Sequence, residues 1–302
     1  MIRSPFFYVG DKYKLMPQLS NFFPSNIIRL IEPFSGGGSV FLNTKAIEYL
    51  ENDTDKYMIN LHKYLFSFKN NRNKFFDKLE KTIIKYGLSA SYLGISVTDD
   101  LKNKYKKTYY AVYNKEAYKK LRDDFNANKR NMTLLYILLI YGFNHMLRFN
   151  KTGEFNLPVG NVDYNRNVVN ALNGYFDFVD THNVNFFNLD FEKFIKKINF
   201  KDGDFVYLDP PYLISSSEYN KYWTEKEELR LLALLDNLDK KGIKFALSNV
   251  IEHKGRKNTI LEEWAKKYNQ IKISSNYISF NDNSIKETTK EVLITNYGKS
   301  NF

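Results

Sequence analysis

The chain has 302 residues, 43% of them hydrophobic, so it can bury the core of one large domain or of two smaller ones. It has no cysteine, which excludes a disulfide framework, a thiolate metal site and a cysteine nucleophile. Only four histidines are present as possible metal ligands. The formal net charge of +11 favours a polyanionic partner, although many basic proteins bind no nucleic acid.

The sequence shows no segment that would target a membrane. Its first residues, Met1 to Pro5, lack the apolar core of a signal peptide. The longest apolar run, residues 134–143, is too short to cross a bilayer. The sequence therefore predicts a cytoplasmic protein without a membrane partner.

The basic charge is concentrated in one quarter of the chain. Residues 61–135 carry 17 Lys and Arg against 7 Asp and Glu, a net charge of +10. Tyrosines are interleaved with these lysines, a mixture that suits a surface in contact with phosphates. Amphipathic helices with solvated lysines explain the same mixture equally well. The region is predicted to be a helical insertion, and the sequence does not decide whether it binds a polyanion.

A glycine-rich turn follows the first predicted strand. Residues 27–31 predict a short buried strand, which runs into Glu32-Pro33-Phe34-Ser35-Gly36-Gly37-Gly38-Ser39 and then into an apolar helix start at residues 40–42. Strand, turn and helix form a cofactor-binding unit, because glycines let a ligand approach the backbone and a helix N-terminus presents unpaired N–H groups. The spacing fits neither a dinucleotide fingerprint nor a phosphate loop.

Two residues outside this turn have side chains that suit ligand binding. Lys12, in a loop with Tyr8 and Gly10, could face an anion or a base. Asp53 follows a strand-like run at residues 47–50 and could accept hydrogen bonds from ribose hydroxyls. An acidic helix cap is the ordinary alternative for Asp53.

The apolar helix predicted at residues 134–141 leads into a segment, residues 142–160, that predicts a β-hairpin with its tip at Gly153. The first half of this segment carries side chains of the types that stack on exposed bases or hydrogen-bond to them. These are Phe143, Asn144, Met146 and Arg148. A hairpin that only packs against its domain is at least as consistent with the spacing.

Strands and helices alternate again after about residue 180. The predicted elements are strands at 184–189, 205–208 and 242–249, helices at 225–238 and 259–268, and an antiparallel pair at 271–277 and 291–295. Alternation on both sides of the basic region predicts one α/β domain, residues 1–60 plus 180–302, interrupted by an insert at residues 61–179.

The strand at residues 205–208 ends abruptly at Asp209-Pro210-Pro211-Tyr212, since two consecutive prolines cannot donate to a sheet ladder. A carboxylate, two fixed carbonyls and an aromatic ring are thereby held at the carboxyl edge of a parallel sheet, where open α/β folds bind ligands. A strand followed by a rigid loop is the alternative when the tetrapeptide is taken alone.

These motifs, in this order, resemble the Dam family of DNA adenine-N6 methyltransferases, and most closely its phage-type enzymes. The resemblance is carried by residues 33–39, Asp53, the 209–212 motif and Ala246-Leu247-Ser248-Asn249, with the glycine-rich motif first as in the α group. It implies a Rossmann-like α/β fold, with a mixed, mostly parallel sheet and helices on both faces. It also implies an inserted, mostly helical DNA-recognition domain that carries the β-hairpin.

The resemblance further implies S-adenosylmethionine as the cofactor, and no metal. The residues implied in donor binding are Tyr8, Gly10, Lys12, Phe34, Ser35, Gly36, Gly37, Gly38, Ser39, Asp53, Asp190, Phe191 and Asp209. Those implied in catalysis are Asp209, Pro210, Pro211, Tyr212 and Lys12. Family members mostly have Gly-Gly-Lys where this chain has Gly10-Asp11-Lys12, which leaves the contacts of this loop open.

The implied target is the N6 amino group of an adenine rotated out of duplex DNA, at a GATC-type site. The residues implied in DNA contact are Phe143, Asn144, Met146, Arg148, Asn150 and Pro158, with Arg148 as the reader of guanine. A monomer is expected, and a companion restriction endonuclease is a further candidate partner. The alternatives are an RNA adenine or protein-amide methyltransferase, and a DNA-binding relative that has lost catalysis. The basic insert argues against a protein substrate.

Overall fold

The computed structural model describes residues 1–215, 223–274 and 289–298, so residues 275–277 of the predicted closing strand lie outside it. Within these ranges eight strands form a single sheet. In chain order they are β1 (Arg29–Glu32), β2 (Glu48–Asn52), β3 (Asn183–Phe187), β4 (Asp204–Leu208), β5 (Lys244–His253), β6 (Arg256–Lys257), β7 (Asn269–Ile273) and β8 (Thr289–Thr295). The order along the sheet is β3-β2-β1-β4-β5-β8-β7, and β6 pairs with β5 outside this path.

The strand directions place a topological switch between β1 and β4. β3, β2, β1, β4 and β5 are parallel, whereas β8 runs antiparallel to β5 and β7 antiparallel to β8. From β1 the chain moves to β2 and β3 on one side and returns to β4 on the other, so the topological switch lies between β1 and β4. Ligands of open α/β sheets bind at such a switch, outside the carboxyl ends of the strands. The predicted mixed, mostly parallel sheet is confirmed.

The described residues also form ten α-helices. In chain order they are α1 (Met16–Leu19), α2 (Lys56–Phe66), α3 (Arg72–Tyr86), α4 (Asp99–Tyr105), α5 (Tyr109–Ala127), α6 (Met132–Tyr141), α7 (Arg166–Thr181), α8 (Phe191–Lys197), α9 (Glu225–Lys240) and α10 (Thr259–Ala265). Short 3-10 turns span Ser20–Phe22, Phe41–Asn43, Ser91–Leu93 and Phe143–His145.

The chain divides into two compact units, each made of several segments. The helical unit comprises residues 1–13, 36–42 and 55–182 and contains α2 to α7. The sheet unit comprises residues 14–35, 43–54 and the described residues from 183 onward, and it contains the sheet with α1 and α8 to α10. The loop of Lys12 therefore belongs to the helical unit, and the 209–212 motif belongs to the sheet unit.

The centre of the helical unit is α6. All its residues from 133 to 141 are buried, and the helix packs against α2, α3 and α5. A helix that is apolar all round has no solvent-facing side, so it is stable only when neighbouring helices enclose it. It begins at a cap in which Asn131 Oδ1 accepts a hydrogen bond from Leu134 N.

The sheet unit buries one face of its parallel strands beneath α8, α9 and α10. Alternate strand residues point into this core, because successive side chains of a strand face opposite sides. They are Ile31, Leu50, Val206, Leu208, Phe245 and Leu247. Burial of such a side chain contributes on the order of 1.5–3 kcal/mol relative to exposure, so this core stabilises the central strands β1, β4 and β5.

The predicted helix start at residues 40–42 is wrong. Phe41–Asn43 form only a 3-10 turn, and β2 begins at Glu48. Within this connection the Tyr49 hydroxyl accepts a hydrogen bond from Ala46 N at 3.0 Å and donates to Thr44 O at 2.9 Å. The buried tyrosine thus closes a tight turn directly after the 3-10 turn, so no helix continues from it. The first long helix, α2, follows only after β2.

Two kinds of feature are absent from the described parts of the chain. No helix there is both long enough and apolar enough to span a membrane. In the same ranges, no group of three His, Asp or Glu side chains is arranged to hold a metal ion.

Candidate active site

The 209–212 motif lies at the carboxyl end of β4, beside the topological switch. β4 is fully buried, whereas Asp209 and Tyr212 are half-buried just beyond it. The Tyr212 hydroxyl donates a hydrogen bond to Asp209 Oδ1 at 2.9 Å, and Ser215 N donates to Tyr212 O at 3.1 Å. The motif is therefore a closed turn that presents a carboxylate and an aromatic ring together at the edge where such folds bind ligands.

A second carboxylate, Glu291 of β8, lies beside this turn and is missed by the sequence motifs. Its Oε1 is 3.4 Å from the Tyr212 hydroxyl, and only 1% of the residue is exposed. Pairing between β5 and β8 places it opposite Val250. Glutamate is rarely buried in the interior of an apolar strand, and this is the one signal by which the sequence could have revealed it.

Three aromatic rings, called here the aromatic cluster, meet beyond the carboxyl end of β1. The ring centroid of Phe34 lies 5.3 Å from that of Phe191 and 5.7 Å from that of Trp223, and the latter two are 5.8 Å apart. Phe34 and Trp223 are half-buried, so each ring keeps an accessible part. Such a cluster offers apolar faces to a planar heterocycle. Trp223 is missed by the sequence motifs.

A buried carboxyl group holds Trp223 in place. Glu228 is fully buried and accepts hydrogen bonds from Trp223 Nε1 at 2.6 Å, Asn258 Nδ2 at 2.8 Å and Asn249 Nδ2 at 3.4 Å. Burial raises the pKa of Glu228, and the three donors oppose the rise. This network ties the aromatic cluster to β5 and to the start of α10, which Asn258 caps.

The carboxylate of Asp190 makes two structural contacts. Its Oδ1 caps α8 by accepting hydrogen bonds from Glu192 N and Lys193 N. Arg230 Nη2 donates to both of its oxygens, at 3.0 and 3.2 Å, and the guanidinium lies 4.9 Å from the ring centroid of Phe191. Asp190 therefore fixes the backbone that carries Phe191 into the aromatic cluster.

A buried asparagine, Asn52, ties together three loops at this edge of the sheet. Its Nδ2 donates to Pro33 O at 2.9 Å and to Leu189 O at 3.0 Å, and its Oδ1 accepts from Leu189 N at 2.9 Å. Ser35 N donates to Asn52 O at 2.8 Å. The loops after β1, β2 and β3 are therefore held in register, and the half-buried Asp53 extends from the middle one.

In the helical unit, the glycine-rich turn is packed closely on the N-terminal segment. Gly36 and Gly38 have φ angles of +47° and +80°, in the left-handed region that side chains disfavour. A Cβ on Gly37 would lie 2.7 Å from Tyr8 Cβ, and Ser4 Oγ donates to Gly37 O at 2.5 Å. The turn therefore admits no side chain, which suits a ligand that approaches the backbone.

The loop that carries Lys12 contains a tight turn and a buried lysine. Lys12 is only 3% exposed, which is rare for a lysine, and it follows a turn at Gly10, whose φ is +83°. Asp11, which stands where the resemblance implies a second glycine, has a structural role. Its carboxylate lies 3.5 Å from Arg3 Nη2 and accepts a hydrogen bond from Tyr13 N at 3.3 Å. An ion pair between Arg3 and Asp11 thus helps to shape this loop.

The ring of His62, on α2, supports the glycine-rich turn. It is fully buried, lies edge-on against Phe6 with 4.6 Å between ring centroids, and places Nε2 2.9 Å from Gly36 O. A carbonyl oxygen only accepts hydrogen bonds, so Nε2 carries the proton. Burial lowers the pKa of His62 from its ordinary value of 6.5 to about 4, and the bond to Gly36 opposes the fall.

We expect the protein to lose stability in acid because His62 is neutral when folded. Its folded pKa lies below the unfolded value, so its contribution is complete above pH 6.5 and is lost as the pH falls toward about 4. From this group alone, the free energy of unfolding should drop by about 2 kcal/mol between pH 7 and pH 5. Urea unfolding of wild type and His62→Gln at both pH values measures the drop. An equally steep loss in His62→Gln would assign the acid sensitivity to other groups.

The segment after α6 exposes side chains that can contact bases. Phe143 is 52% exposed and Asn144 is also exposed, while Met146 is half-buried. Asn144 and His145 have φ angles of +52° and +50°, so the chain turns sharply here. Left-handed residues other than glycine are uncommon, and they persist where the surrounding structure requires them.

The guanidinium of Arg148 is oriented by the opposite side of the same segment. Its Nε donates to Asn156 Oδ1 at 2.9 Å and its Nη2 donates to Asn156 O at 2.6 Å. Both acceptors are neutral oxygens of Asn156. The chain reverses over residues 150–154, and an isolated antiparallel bridge pairs Phe149 with Phe155 where a regular ladder is predicted.

Asn150 and Pro158 support this segment through backbone contacts. Asn150 Oδ1 accepts hydrogen bonds from Thr152 N at 3.1 Å and from Glu154 N at 2.8 Å, which closes the reversal. Pro158 O accepts from Phe143 N at 3.0 Å, while the proline ring is exposed. Asn150 therefore shapes the turn, and Pro158 anchors Phe143.

The sequence matches the family model of D12 class N6 adenine-specific DNA methyltransferases over residues 8–278. It is 34% identical to the type II methyltransferase M.FokI of Planomicrobium okeanokoites over 98% of this chain, and 33% identical to the modification methylase StsI of Streptococcus sanguinis over 100% of it. The chain spans 43% and 44% of the lengths of these two relatives. The DNA adenine methylase of Escherichia coli K12 is 25% identical over 80% of this chain and 78% of that protein. Since the family model covers most of its length, the chain belongs to the D12 class of N6 adenine-specific DNA methyltransferases.

Proposed function

We propose that this chain transfers a methyl group from S-adenosylmethionine, the donor used by its class, to the N6 amino group of an adenine in double-stranded DNA. The observation that carries the proposal is the turn in which Asp209 and Tyr212 meet, at the carboxyl end of β4 beside the topological switch. A hydrogen-bond acceptor and a ring that stacks on a base are the groups needed to hold a planar amine that has left the duplex.

The low nucleophilicity of the adenine amine determines what the 209–212 motif must do. Its nitrogen is a poor nucleophile because its lone pair is delocalised into the ring. Asp209 and the carbonyl of Pro210 can each accept one hydrogen of this amine, which fixes its orientation and draws the nitrogen toward tetrahedral geometry. Tyr212 stacks on the base once it has rotated out of the duplex, a step that costs about a few kcal/mol. Pro211 keeps the turn rigid, and Lys12, in the helical unit, is the fifth residue that we propose for catalysis.

The predicted donor-binding residues fit a ligand that has an adenine ring and a ribose. In the sheet unit, the aromatic cluster would hold the adenine ring and Asp53 the ribose hydroxyls. In the helical unit, the glycine-rich turn lets a ligand approach the backbone. The bound donor supplies an electrophilic methyl group, and the residues of the chain bind and orient it.

We assign DNA binding to the helical unit, which includes the predicted insert at residues 61–179. Lysines on its surface, such as Lys81 on α3 and Lys119 on α5, are exposed and suit phosphate contacts, which make binding depend on salt. Residues 143–158 suit sequence readout, because their aromatic, amide and guanidinium groups can contact base edges.

The proposed target is a GATC-type site. Two relatives are named as a type II methyltransferase and a modification methylase, so we propose a restriction endonuclease as the companion of this chain. The chain is expected to be a monomer in solution.

The proposal is tested by incubating the purified protein with S-adenosylmethionine that carries a labelled methyl group, and with unmethylated duplex DNA, RNA or protein. Labelled N6-methyladenine in DNA is the expected product. Label found only in RNA or protein would overturn the DNA substrate. Methylome sequencing of a methylation-free host that expresses the chain then reports the site, and methylation outside GATC would replace that part of the proposal.

Arg148→Ala is expected to relax the sequence preference, because its oriented guanidinium would no longer read a guanine edge. Losing a bidentate contact of this kind costs about 1–3 kcal/mol of discrimination against the wrong base. Methylation rates on a set of duplexes that differ at single positions measure the change. The matched control is Lys151→Ala in the exposed reversal, which should weaken all duplexes alike and lower the salt dependence. An unchanged target preference in Arg148→Ala would remove it from base readout.

A further inference from the structure

We propose that Glu291 is a positioning residue, which takes over the hydrogen bond of the Tyr212 hydroxyl when the target amine occupies Asp209. The inference rests on the proposed roles of Asp209 and Tyr212. Glu291 belongs to none of the motifs that indicate the function, and it lies on β8, which is separated from β4 by β5.

The Tyr212 hydroxyl lies between two carboxylates. It is 2.9 Å from Asp209 Oδ1 and 3.4 Å from Glu291 Oε1. A phenol has one proton and donates one full hydrogen bond, so the shorter contact is the stronger one in this structure, and Glu291 Oε1 is a second acceptor within reach of the same hydroxyl. A small displacement of the phenol exchanges the two.

The reaction requires that exchange. Asp209 must accept a hydrogen of the adenine amine with its full negative charge, and a hydroxyl that donates to the same carboxylate competes for that charge. The ring of Tyr212 must also be held parallel to the base. With Glu291 as the acceptor, Asp209 is released for the amine while the ring stays anchored at its far end. Only the hydrogen bond moves, and the proton stays on Tyr212.

The surroundings of Glu291 make it a fixed acceptor. It is 1% exposed, and its strand is paired on both sides, with Val250 of β5 and Ile273 of β7 as its partners. A buried carboxylate destabilises a strand interior unless it makes hydrogen bonds. Pairing on both sides therefore holds this carboxylate beside the Tyr212 hydroxyl.

The test replaces Glu291 with methionine, which keeps the length of the side chain and removes both oxygens. Loss of a hydrogen bond to a charged group should lower kcat by about 10- to 100-fold, with KM for the methyl donor unchanged. Glu291→Gln keeps an oxygen acceptor and should restore kcat to within about threefold of wild type. The neighbouring Lys290→Ala, at an exposed position of β8, is the control and should match wild type.

A double-variant cycle shows whether Glu291 acts through the hydroxyl. Tyr212→Phe keeps the ring and removes the hydroxyl, so adding Glu291→Met to it should cause no further loss. Losses that multiply would overturn the proposal, and so would an unchanged kcat in Glu291→Met. Thermal unfolding of every variant reports the folded fraction to which kcat is referred.

A fluorescent base analogue at the target position separates this inference from the proposed function. Stacking on Tyr212 quenches the analogue, so Tyr212→Ala should raise its fluorescence and Glu291→Met should raise it in part. If Tyr212→Ala changes neither fluorescence nor transfer, the proposed role of the motif fails. If Tyr212→Ala changes both and Glu291→Met changes neither, only the role of Glu291 fails.

Discussion

Asp209→Asn is expected to lower the rate of methyl transfer by roughly 100- to 1000-fold, or about 3–4 kcal/mol of transition-state stabilisation, while DNA binding is retained. The asparagine has the same shape, but its amide has half the accepting capacity and no charge to draw the amine toward tetrahedral geometry. Single-turnover transfer with saturating DNA measures the chemical step, and a gel-shift titration measures binding.

The matched control for this variant is Asp202→Asn. Asp202 lies exposed in the turn that precedes β4, so the same change of charge occurs close in sequence but away from the carboxyl edge of the sheet. Its transfer rate should equal that of wild type. Transfer by Asp209→Asn within tenfold of wild type would show that this carboxylate does not orient the amine.

The second large effect is expected from Gly38→Ala. A Cβ at this position would lie 2.3 Å from Phe41 Cε1 and 3.0 Å from His62 Cε1, and φ is +80°. Backbone strain costs about 1–2 kcal/mol and overpacking about 1–3 kcal/mol more, so stability should fall by about 2–5 kcal/mol. Calorimetric titration with S-adenosylmethionine should also show weaker binding, because the turn is displaced.

Gly87→Ala separates the strain from the clash. Gly87 ends α3 with φ of +75°, and nothing lies within 4 Å of a Cβ built there. This variant should therefore lose only the strain term of about 1–2 kcal/mol and should bind the donor as wild type does. If both variants lose equal stability and Gly38→Ala binds the donor normally, the close packing of the turn is not what the donor requires.

Local motifs carry the resemblance to the family, the resemblance implies a mixed, mostly parallel sheet, and both the family and the sheet are confirmed. These motifs can be recognised in the sequence because each one constrains the backbone locally. Two prolines prevent β4 from continuing beyond Leu208, and Gly36 and Gly38 take left-handed angles. The helix predicted at residues 40–42 fails for the opposite reason. Its apolar pattern is local, whereas the chain that follows it is turned toward β2 by hydrogen bonds of Thr44 and Ala46 with Tyr49, which is already part of β2.

The buried polar residues that hold the site residues in place are not predictable from local sequence patterns. Asn52 appears as one more polar residue in an acidic stretch, yet in the fold it bonds to Pro33 and Leu189, the latter 137 residues away. Glu228 appears as a charge at the start of an amphipathic helix, yet it is fully buried and holds Trp223. Their roles arise from strand order, which brings together chain segments that no periodicity relates.

By itself, the sequence determines which chemical groups this protein carries and in what order: a glycine-rich turn, a basic helical region and a carboxylate beside an aromatic ring. Each is a short segment whose conformation is set by its own residues. Only the tertiary structure decides that His62 supports Gly36, 26 residues away, and that Glu291 reaches Tyr212, 79 residues away. A buried polar residue finds its partner through the fold, because the free energy lost on burial is recovered only where another element supplies the hydrogen bond.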